Sequence, residues 1–574
     1  MDIQRLLLIG VIATLSFMLL TEWVSFRADQ APPPAVASQT LNTSSQQSAM
    51  QNGNSATEIP SATSAPQVPS DELPSVVDLE QSTDAPVSGS TSTSNNIISI
   101  NTDVLQLQID LSGGDIIYSG LTEYHARIDT PDIPFVMLQR DDQRLYVAQS
   151  GLVGANGIDG QTRARFVAAQ SNYNMALDQD SLQVDLTYAE NDAVTIIKRF
   201  TLNRGEYLID VEYLVTNNSS ARWEANLFGQ IKRDSSDDPS ADNSSGMGMM
   251  PFLGTALTQP DERFSKFDFE DMAEKPFKKQ LPGGWIAMIQ HYFLTAWIPD
   301  PNQTHTYSTR VTRSGFNIGG FTSPALVIDP GQSGAAKASF YVGPKDQYKL
   351  AEISEYLDLS VDYGWLWWIA QPLFWLLTKI HGLVGNWGVA IILLTVLIKA
   401  AFFQLSATSY RSMANMRRVQ PKMVEIKERY GDDKQKQSQA MMELYKKEKI
   451  NPLGGCLPIL VQMPVFIALY WTLMESVELR QAPFYLWIND LSVMDPYFIL
   501  PLIMGVSMWF QQKLNPPPPD PMQAKVMQWM PVIFTFFFLW FPAGLVLYWV
   551  ANNLLSITQQ YIITRQIEKG AAKA

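Results

Sequence analysis

The sequence predicts a multi-domain membrane protein, in which a bundle of six transmembrane α-helices carries a large all-β domain. Three observations predict this architecture. The 574-residue chain is 46% hydrophobic, but its longest apolar runs lie near the N-terminus and after residue 386. Between them, apolar and polar residues alternate with the period of two that half-buried strands show. The net charge of −14 is also uneven, since residues 26–360 hold 41 acidic but only 22 basic residues and the remainder has a basic excess.

The N-terminal segment combines an apolar run with a flexible tether. Leu6 to Leu20 follow Arg5 and are extended by Trp23 and Val24. This pattern indicates that residues 1–27 form a signal anchor. A cleaved signal peptide is the alternative, because small residues at 35–37 could form a cleavage site. Residues 28–96 are rich in Ser, Thr, Gln, Pro and Ala. Such a composition buries too little apolar area to offset the entropy of ordering, so it predicts a disordered linker.

Residues 97–345 are predicted to form the β domain. Leu105, Leu107, Ile109 and Leu111 alternate with polar residues, and the same period recurs from Leu182 and from Ile209. Gly, Asn, Asp and Pro turns separate these runs. Repeated alternation of this kind indicates antiparallel strands with one buried face.

An aromatic segment follows at residues 346–382, where Trp365, Trp367, Trp368 and Trp375 crowd together. If it crossed the membrane, the basic segment 406–455 would face the same side as the acidic β domain. That arrangement opposes the positive-inside tendency. The segment is therefore predicted to be an amphipathic helix lying in the interface, broken or bent near Pro372.

Five further membrane-spanning helices are predicted within residues 383–565. The spans are 387–405, 457–474, 496–511, 527–541 and 543–563, with a turn at Phe541–Gly544, because one helix over the last two would far exceed the ~30 Å apolar core. Residues 406–455 hold 11 basic and 6 acidic residues and are predicted to form a cytoplasmic helical hairpin. Residues 566–574 form a short tail. Both termini are then cytoplasmic, and the β domain lies on the opposite side of the membrane.

Polar residues interrupt these apolar spans at helical spacings. Placing an ionisable side chain at such a depth in the membrane costs roughly 3 kcal/mol, so such residues are usually functional. The polar side chains are therefore predicted to converge on a wet, cationic concavity. The alternatives are that the lysine snorkels to the headgroups and that the others form interhelical hydrogen bonds only. The candidate residues are Lys399, Thr395, Gln462, Gln528, Thr535, Trp549, Asn553, Ser556 and Gln560.

The sequence gives no reason to expect catalytic, cofactor or metal residues. Cys456 is the only cysteine, and the four histidines lie far apart without an HExxH motif, so neither a disulfide nor a typical zinc site is predicted. The Gly331–Ser339 segment lacks P-loop spacing, so ATP is not an expected energy source.

Several long motifs resemble one known family. GGWIAMIQHYF begins at Gly283, NWGVAIILLTVLIK at Asn386, NPLGGCLPILVQMPVFIALYW at Asn451 and FPAGLVLYWVANN at Phe541. These are similar to the YidC/Oxa/Alb family of membrane protein insertases, in its Gram-negative form. The resemblance implies a location in the bacterial inner membrane with six spans and a periplasmic β-supersandwich domain similar to galactose mutarotases. It also implies a positively charged groove open to the cytoplasm and the lipid.

The resemblance also implies roles for individual residues and partners. The family's groove cation is typically Arg, and the matching position is Lys399, which keeps the charge but loses the planar fork. Thr395 and Trp549 match groove positions, while Gln404 stands where relatives usually have Pro. The implied function is insertion and folding of nascent membrane proteins, alone or with the Sec translocon. The translating ribosome and membrane lipids are the other implied partners, and no nucleic-acid specificity is expected.

Two other classes of function remain open from the residues alone. A small-solute transporter would also use polar spans and a buried cation, but repeated halves with paired broken helices are not evident. A membrane-tethered carbohydrate enzyme would use the β domain, with His125 or His291 beside a carboxylate such as Glu224. Sugar turnover by that domain would support the second reading, since fold analogy alone does not.

Overall fold

The computed structural model describes residues 96–160, 162–188, 193–240, 251–431, 433–448, 457–515 and 521–571. The predicted signal anchor and all but the last residue of the predicted linker lie outside these ranges, as does Cys456.

Two antiparallel sheets stack face to face in the N-terminal half of the described chain. One runs in the order β14-β17-β18-β11-β5-β4-β3-β2-β1-β7, with only the β1–β7 edge pair parallel. Its strands, in chain order, are β1 Ile97–Asn101, β2 Leu105–Asp110, β3 Asp115–His125, β4 Pro134–Arg140, β5 Leu145–Val153, β7 Asn172–Asn174, β11 Trp223–Arg233, β14 Lys278–Pro282, β17 Thr304–Val311 and β18 Asn317–Ile328.

The second sheet runs in the order β13-β12-β15-β16-β19-β10-β9-β8-β6. Its inward residues meet those of the first sheet in one apolar core that buries Trp285, Trp297 and Phe200. The period-two pattern therefore has its expected cause, with one face of each strand in the core. Its strands are β6 Phe166–Ala168, β8 Ser181–Tyr188, β9 Val194–Asn203, β10 Leu208–Asn217, β12 Gly254–Leu257, β13 Ser265–Phe267, β15 Ile286–Ile289, β16 Phe293–Pro299 and β19 Ser333–Pro344.

The C-terminal half of the described chain is helical, which confirms the predicted combination of an all-β domain with a helical bundle. Two short helices, α1 and α2, belong to the β half. The helices are α1 Phe269–Glu274, α2 Gln347–Ile353, α3 Trp367–Val384, α4 Trp387–Ala401, α5 Phe403–Tyr430, α6 Lys434–Lys447, α7 Leu457–Glu475, α8 Ile499–Leu514, α9 Pro521–Phe537 and α10 Ala543–Ala571.

Several helical boundaries differ from those predicted, since α8, α9 and α10 end at residues 514, 537 and 571 and not at 511, 541 and 563. Two helical segments also differ in shape. The 387–405 segment is not one straight helix, because Phe402 takes φ −90° and ψ 12° and the chain bends by 68° between α4 and α5. In contrast, α3 continues through Pro372. That proline lies near the start of the helix, where it removes only the hydrogen bond to the carbonyl of Trp368.

The length and hydropathy of single helices do not by themselves identify a membrane span in the described residues. Only the bent pair α4 and α5 meets both criteria, when its two members are taken together.

The β half sits directly on one end of the helical bundle. Lys345 after β19 forms a 2.7 Å ion pair with Glu475, the last residue of α7. His291 Nε2 lies 2.9 Å from the carbonyl oxygen of Met474, and Arg480 donates to the carbonyl oxygen of His125 at 2.9 Å. These buried polar contacts, here called the junction, fix which end of each helix is nearest the β half.

Candidate functional site

Lys399 is buried near the end of α4, among side chains from three helices. Its Nζ donates a 2.8 Å hydrogen bond to Ser556 Oγ on α10. The same amine lies 3.5 Å from Gln462 Oε1 on α7. The lysine therefore joins α4, α7 and α10, which are distant in sequence.

The charge of Lys399 is solvated by neutral oxygens and not by a carboxylate. No charged partner acts on it among the described residues, and α4 itself contains no Asp or Glu. Beside it, Gln462 Nε2 is buried and has no hydrogen-bond partner in the described part of the chain, and Gln559 Oε1 and Gln560 Oε1, further along α10, are likewise unpaired there. Buried amides are nearly always satisfied, so this region offers donors and acceptors to water or to polar groups of another molecule.

The polar residues of α10 form two rows and not the single stripe that their spacing suggests. Ser556 faces Lys399, whereas Asn553 donates to Ser507 Oγ of α8 at 3.1 Å. Gln560 also faces α8, where it donates to Asn515 Oδ1 at 3.0 Å. At about 100° per residue, Gln560 points about 20° away from Asn553, whereas Ser556 is turned about 60° from Asn553 and about 40° from Gln560.

Trp549 belongs to an aromatic cluster and not to the polar row. Its ring lies 4.6 Å from that of Phe466 on α7 and 4.9 Å from that of Phe538 beyond α9. An indole is mostly apolar surface, so packing determines its place. It closes the bundle on the side of Lys399 that faces the β half.

The remaining predicted residues lie at different distances from this centre. Thr395, one turn before Lys399, is buried and donates to the carbonyl oxygen of Ile391 in its own helix. Gln528 is exposed on α9. Thr535 packs against Gly505 of α8. Within the described residues neither Gln528 nor Thr535 is hydrogen-bonded to Lys399, so the expected convergence does not include these two residues.

Three polar residues in this part of the bundle were missed by the sequence analysis. Ser507 accepts from Asn553, Tyr410 of α5 lies beside Ser556, and Gln559 carries one of the unpaired amide oxygens. Ser507 is a polar residue within an apolar run and could have been found by the criterion used for Gln462. Tyr410 could not, because the bend after α4 brings it back toward the bundle.

Lys399 with its partners Ser556 and Gln462, here called the cationic centre, lies toward the end of the bundle that is remote from the β half. Asn386 caps the start of α4 and its amide donates to the carbonyl oxygen of Pro483, in the segment beside the junction. Lys399 is the third residue from the other end of α4. At 1.5 Å per residue, it is about 20 Å along the axis from that capped end.

The histidines considered for a carbohydrate site are engaged in the junction. His291 is buried, and burial lowers the pKa of its imidazole below the usual value. His125 contributes its backbone carbonyl, which accepts from Arg480 and Gln481, whereas its buried imidazole Nδ1 has no hydrogen-bond partner within the described residues. These two residues hold the β half on the bundle, which is a structural task.

The sequence matches two protein-family profiles that together cover nearly all the described residues. One is the YidC periplasmic domain, over residues 97–376. The other is the 60Kd inner membrane protein, over residues 379–570. The first profile contains the two-sheet region and the second contains Lys399 and all the other candidate residues.

Relatives match over the full length. The membrane protein insertase YidC of Stutzerimonas stutzeri (strain A1501) is 52% identical, with all of both chains covered. The corresponding protein of Cellvibrio japonicus (strain Ueda107) is 51% identical, again over both whole chains. Among solved structures, an active YidC insertase with its first transmembrane domain resolved is 18% identical, with a TM-score of 0.37 over 81% of this chain and 92% of the other.

The family assignment rests on the sequence matches, because identity above half over an entire chain is far beyond chance. The coverage extends through both the β half and the helical bundle. The chain therefore belongs to the YidC family of membrane protein insertases.

Proposed function

We propose that this chain inserts nascent membrane proteins through the cationic centre around Lys399, acting as an insertase and not as an enzyme. The observation that carries the proposal is a buried lysine with neutral oxygen ligands beside the unpaired buried amide nitrogen of Gln462. Such a site lowers the cost of bringing a polar client segment to membrane depth, because it supplies hydrogen bonds that lipid cannot.

The proposed orientation places the β half in the periplasm and both termini in the cytoplasm. Lys399 then lies toward the cytoplasmic ends of the helices, where a client would arrive. The α5 and α6 hairpin, held together by Val419, Met423 and Leu444, would stand on the same side. Its basic surface suits the ribosome and the acidic or polar segments of nascent chains.

The apolar part of a client would leave along α7 and α9. Both helices expose large apolar side chains, and the burial of a client's apolar residues in lipid would drive release without nucleotide hydrolysis. Cooperation with the Sec translocon is a further element of this proposal. The exposed residues that form this surface are Val461, Met463, Val526, Trp529, Val532, Ile533 and Phe536.

The α3 helix would brace the bundle from the periplasmic interface. Its Trp367, Trp368 and Trp375 are exposed, while Phe374 and Leu377 are buried against the bundle. Amphipathic aromatic rings are favoured at headgroup level.

Insertion in reconstituted vesicles tests the overall function. Vesicles with this protein should insert a short two-span client, and vesicles with every other component but without it should not. Equal insertion in both would refute the proposed function.

The role of Lys399 is tested with paired clients that differ only in acidic residues in the translocated segment. Lys399→Leu should slow the acidic client more than the neutral one, whereas Lys399→Arg should preserve the difference because it keeps the charge. Lys525→Leu, which removes an exposed cation of α9, is the matched control. If Lys399→Leu affects both clients equally, the lysine does not act by attracting acidic segments.

A further inference from the structure

A second site in the bundle is an apolar groove between α8 and α10, away from the Lys399 centre. Its volume is about 610 Å³, within the ~300–1,000 Å³ typical of sites for small molecules. The walls are almost wholly apolar, with Leu502, Val506 and Phe510 on α8 and Leu554, Ile557 and Tyr561 on α10.

The two walls run parallel, so their C-terminal ends lie together. Asn553 on α10 donates a hydrogen bond to Ser507 on α8, and Gln560, seven residues later, donates to the carbonyl oxygen of Leu514, which is also seven residues later. Residue numbers that increase together on two contacting helices show that the helices are parallel. The groove thus has one end at Ile499 and the other at Leu514, about 22 Å apart at 1.5 Å per residue.

Each wall ends in an exposed cation at the same end of the groove. Lys513 directly precedes the lining residue Leu514, and its Nζ lies 3.6 Å from the centre of the Trp509 ring. Arg565 is one turn beyond Tyr561 and its Nη1 donates to the Tyr561 hydroxyl at 3.2 Å. The α8 helix contains no Asp or Glu, and α10 contains none before Glu568.

We infer that this groove binds an anionic phospholipid, with one acyl chain between α8 and α10 and the phosphate between Lys513 and Arg565. The apolar walls match the acyl chain, and the paired cations match the headgroup. The ~15 Å depth of one leaflet, half the apolar core, fits within the groove's length.

The charge at the end of the groove favours a lipid over a client helix as the occupant. A client helix would need only the apolar walls and would gain nothing from two cations at headgroup depth. The inference requires only that these helices lie in a membrane, so it does not depend on insertase activity.

The test uses photoreactive lipids in phosphatidylcholine vesicles that contain the full-length protein. A trace of phosphatidylglycerol or of phosphatidylcholine, each with a photoreactive acyl chain, is activated, and labelled peptides are identified by mass spectrometry. Phosphatidylglycerol should label both walls, and label them more than phosphatidylcholine does.

Variants separate the contributions of charge and shape. Each cation near an anionic headgroup contributes about fivefold in affinity, so Lys513→Gln with Arg565→Gln should weaken phosphatidylglycerol binding roughly twenty-five-fold and leave phosphatidylcholine unchanged. Ile557→Trp should block labelling by filling the groove while both cations remain. Lys525→Gln, which removes a cation outside the groove lining, should have no effect.

Three outcomes would overturn the inference. The first is equal labelling by the two lipids. The second is full phosphatidylglycerol labelling of both walls in the double variant. The third is displacement of the lipid by an apolar client helix that itself crosslinks to α8 and α10, which would assign the groove to clients.

Discussion

Breaking the ion pair between Lys345 and Glu475 should detach the β half from the bundle. The two side chains are only 3% and 6% exposed, and Lys345 Nζ lies 2.7 Å from Glu475 Oε2. At an effective dielectric of about 20, their attraction is about 6 kcal/mol, and it opposes the cost of removing both charges from water. Removing one partner leaves the other buried and uncompensated, which typically costs about 3–5 kcal/mol.

The assay is limited proteolysis of the full-length protein in detergent, scored by release of the β half. When closing is faster than cleavage, the cleavage rate follows the population of the opened junction. Lys345→Met or Glu475→Gln should therefore accelerate release by about a hundred- to a few thousand-fold, since each 1.4 kcal/mol is a factor of ten.

Two comparisons make this prediction specific. The double variant Lys345→Met with Glu475→Leu should restore much of the resistance, because it leaves no unpaired charge. Lys266→Met breaks the half-exposed Lys266–Asp362 pair and should change the rate by less than about fivefold. The reasoning is refuted if the single variants resemble Lys266→Met, or if the double variant is as labile as either single one.

Two further predictions concern a helix contact and a carboxyl group. Gly505→Ala should lower the free energy of unfolding in detergent by about 1–3 kcal/mol, since the new methyl group would clash with Thr535. Adding Thr535→Ala should relieve part of the loss. Thermal unfolding of the single and double variants tests this, and no loss in the single variant would contradict it. Burial raises the pKa of the Glu478 carboxyl to about 7, with Asp346 adding to the effect. Its contribution to stability is therefore fully present below the unfolded pKa of about 4.5 and falls as pH rises through about 7. Glu478→Gln should make β-half release less pH-dependent and strengthen the junction at pH 8 by up to about 3 kcal/mol; equal release from both proteins at pH 8 would argue against it.

The local pattern of the chain was enough to predict the fold class. Strand residues such as Leu105 and Ile209 face a single core, so their period of two was visible without coordinates. Long motifs around Gly283 and Asn386 likewise indicated the family, because a motif is a run of consecutive residues that can be recognised without coordinates. The uneven charge supports the proposed orientation for the same reason, since each charge belongs to its own segment.

Only the tertiary structure decided which polar residues meet. Spacing places Asn553 and Ser556 on one helix, but neighbouring helices determine that the first contacts Ser507 and the second Lys399. The bend at Phe402 and the placement of Thr535 against Gly505 follow from packing between helices.

What the sequence determined by itself was the division into a β half and a helical half, the family and the presence of a cation within an apolar run. The structure decided which oxygens surround that cation, how the β half is attached through Lys345 and Glu475, and that α8 and α10 enclose an apolar groove. The physical reason is the distance along the chain over which each kind of information acts. Periodicity and hydropathy act over a few residues, whereas a contact between residues 130 positions apart depends on how whole elements pack.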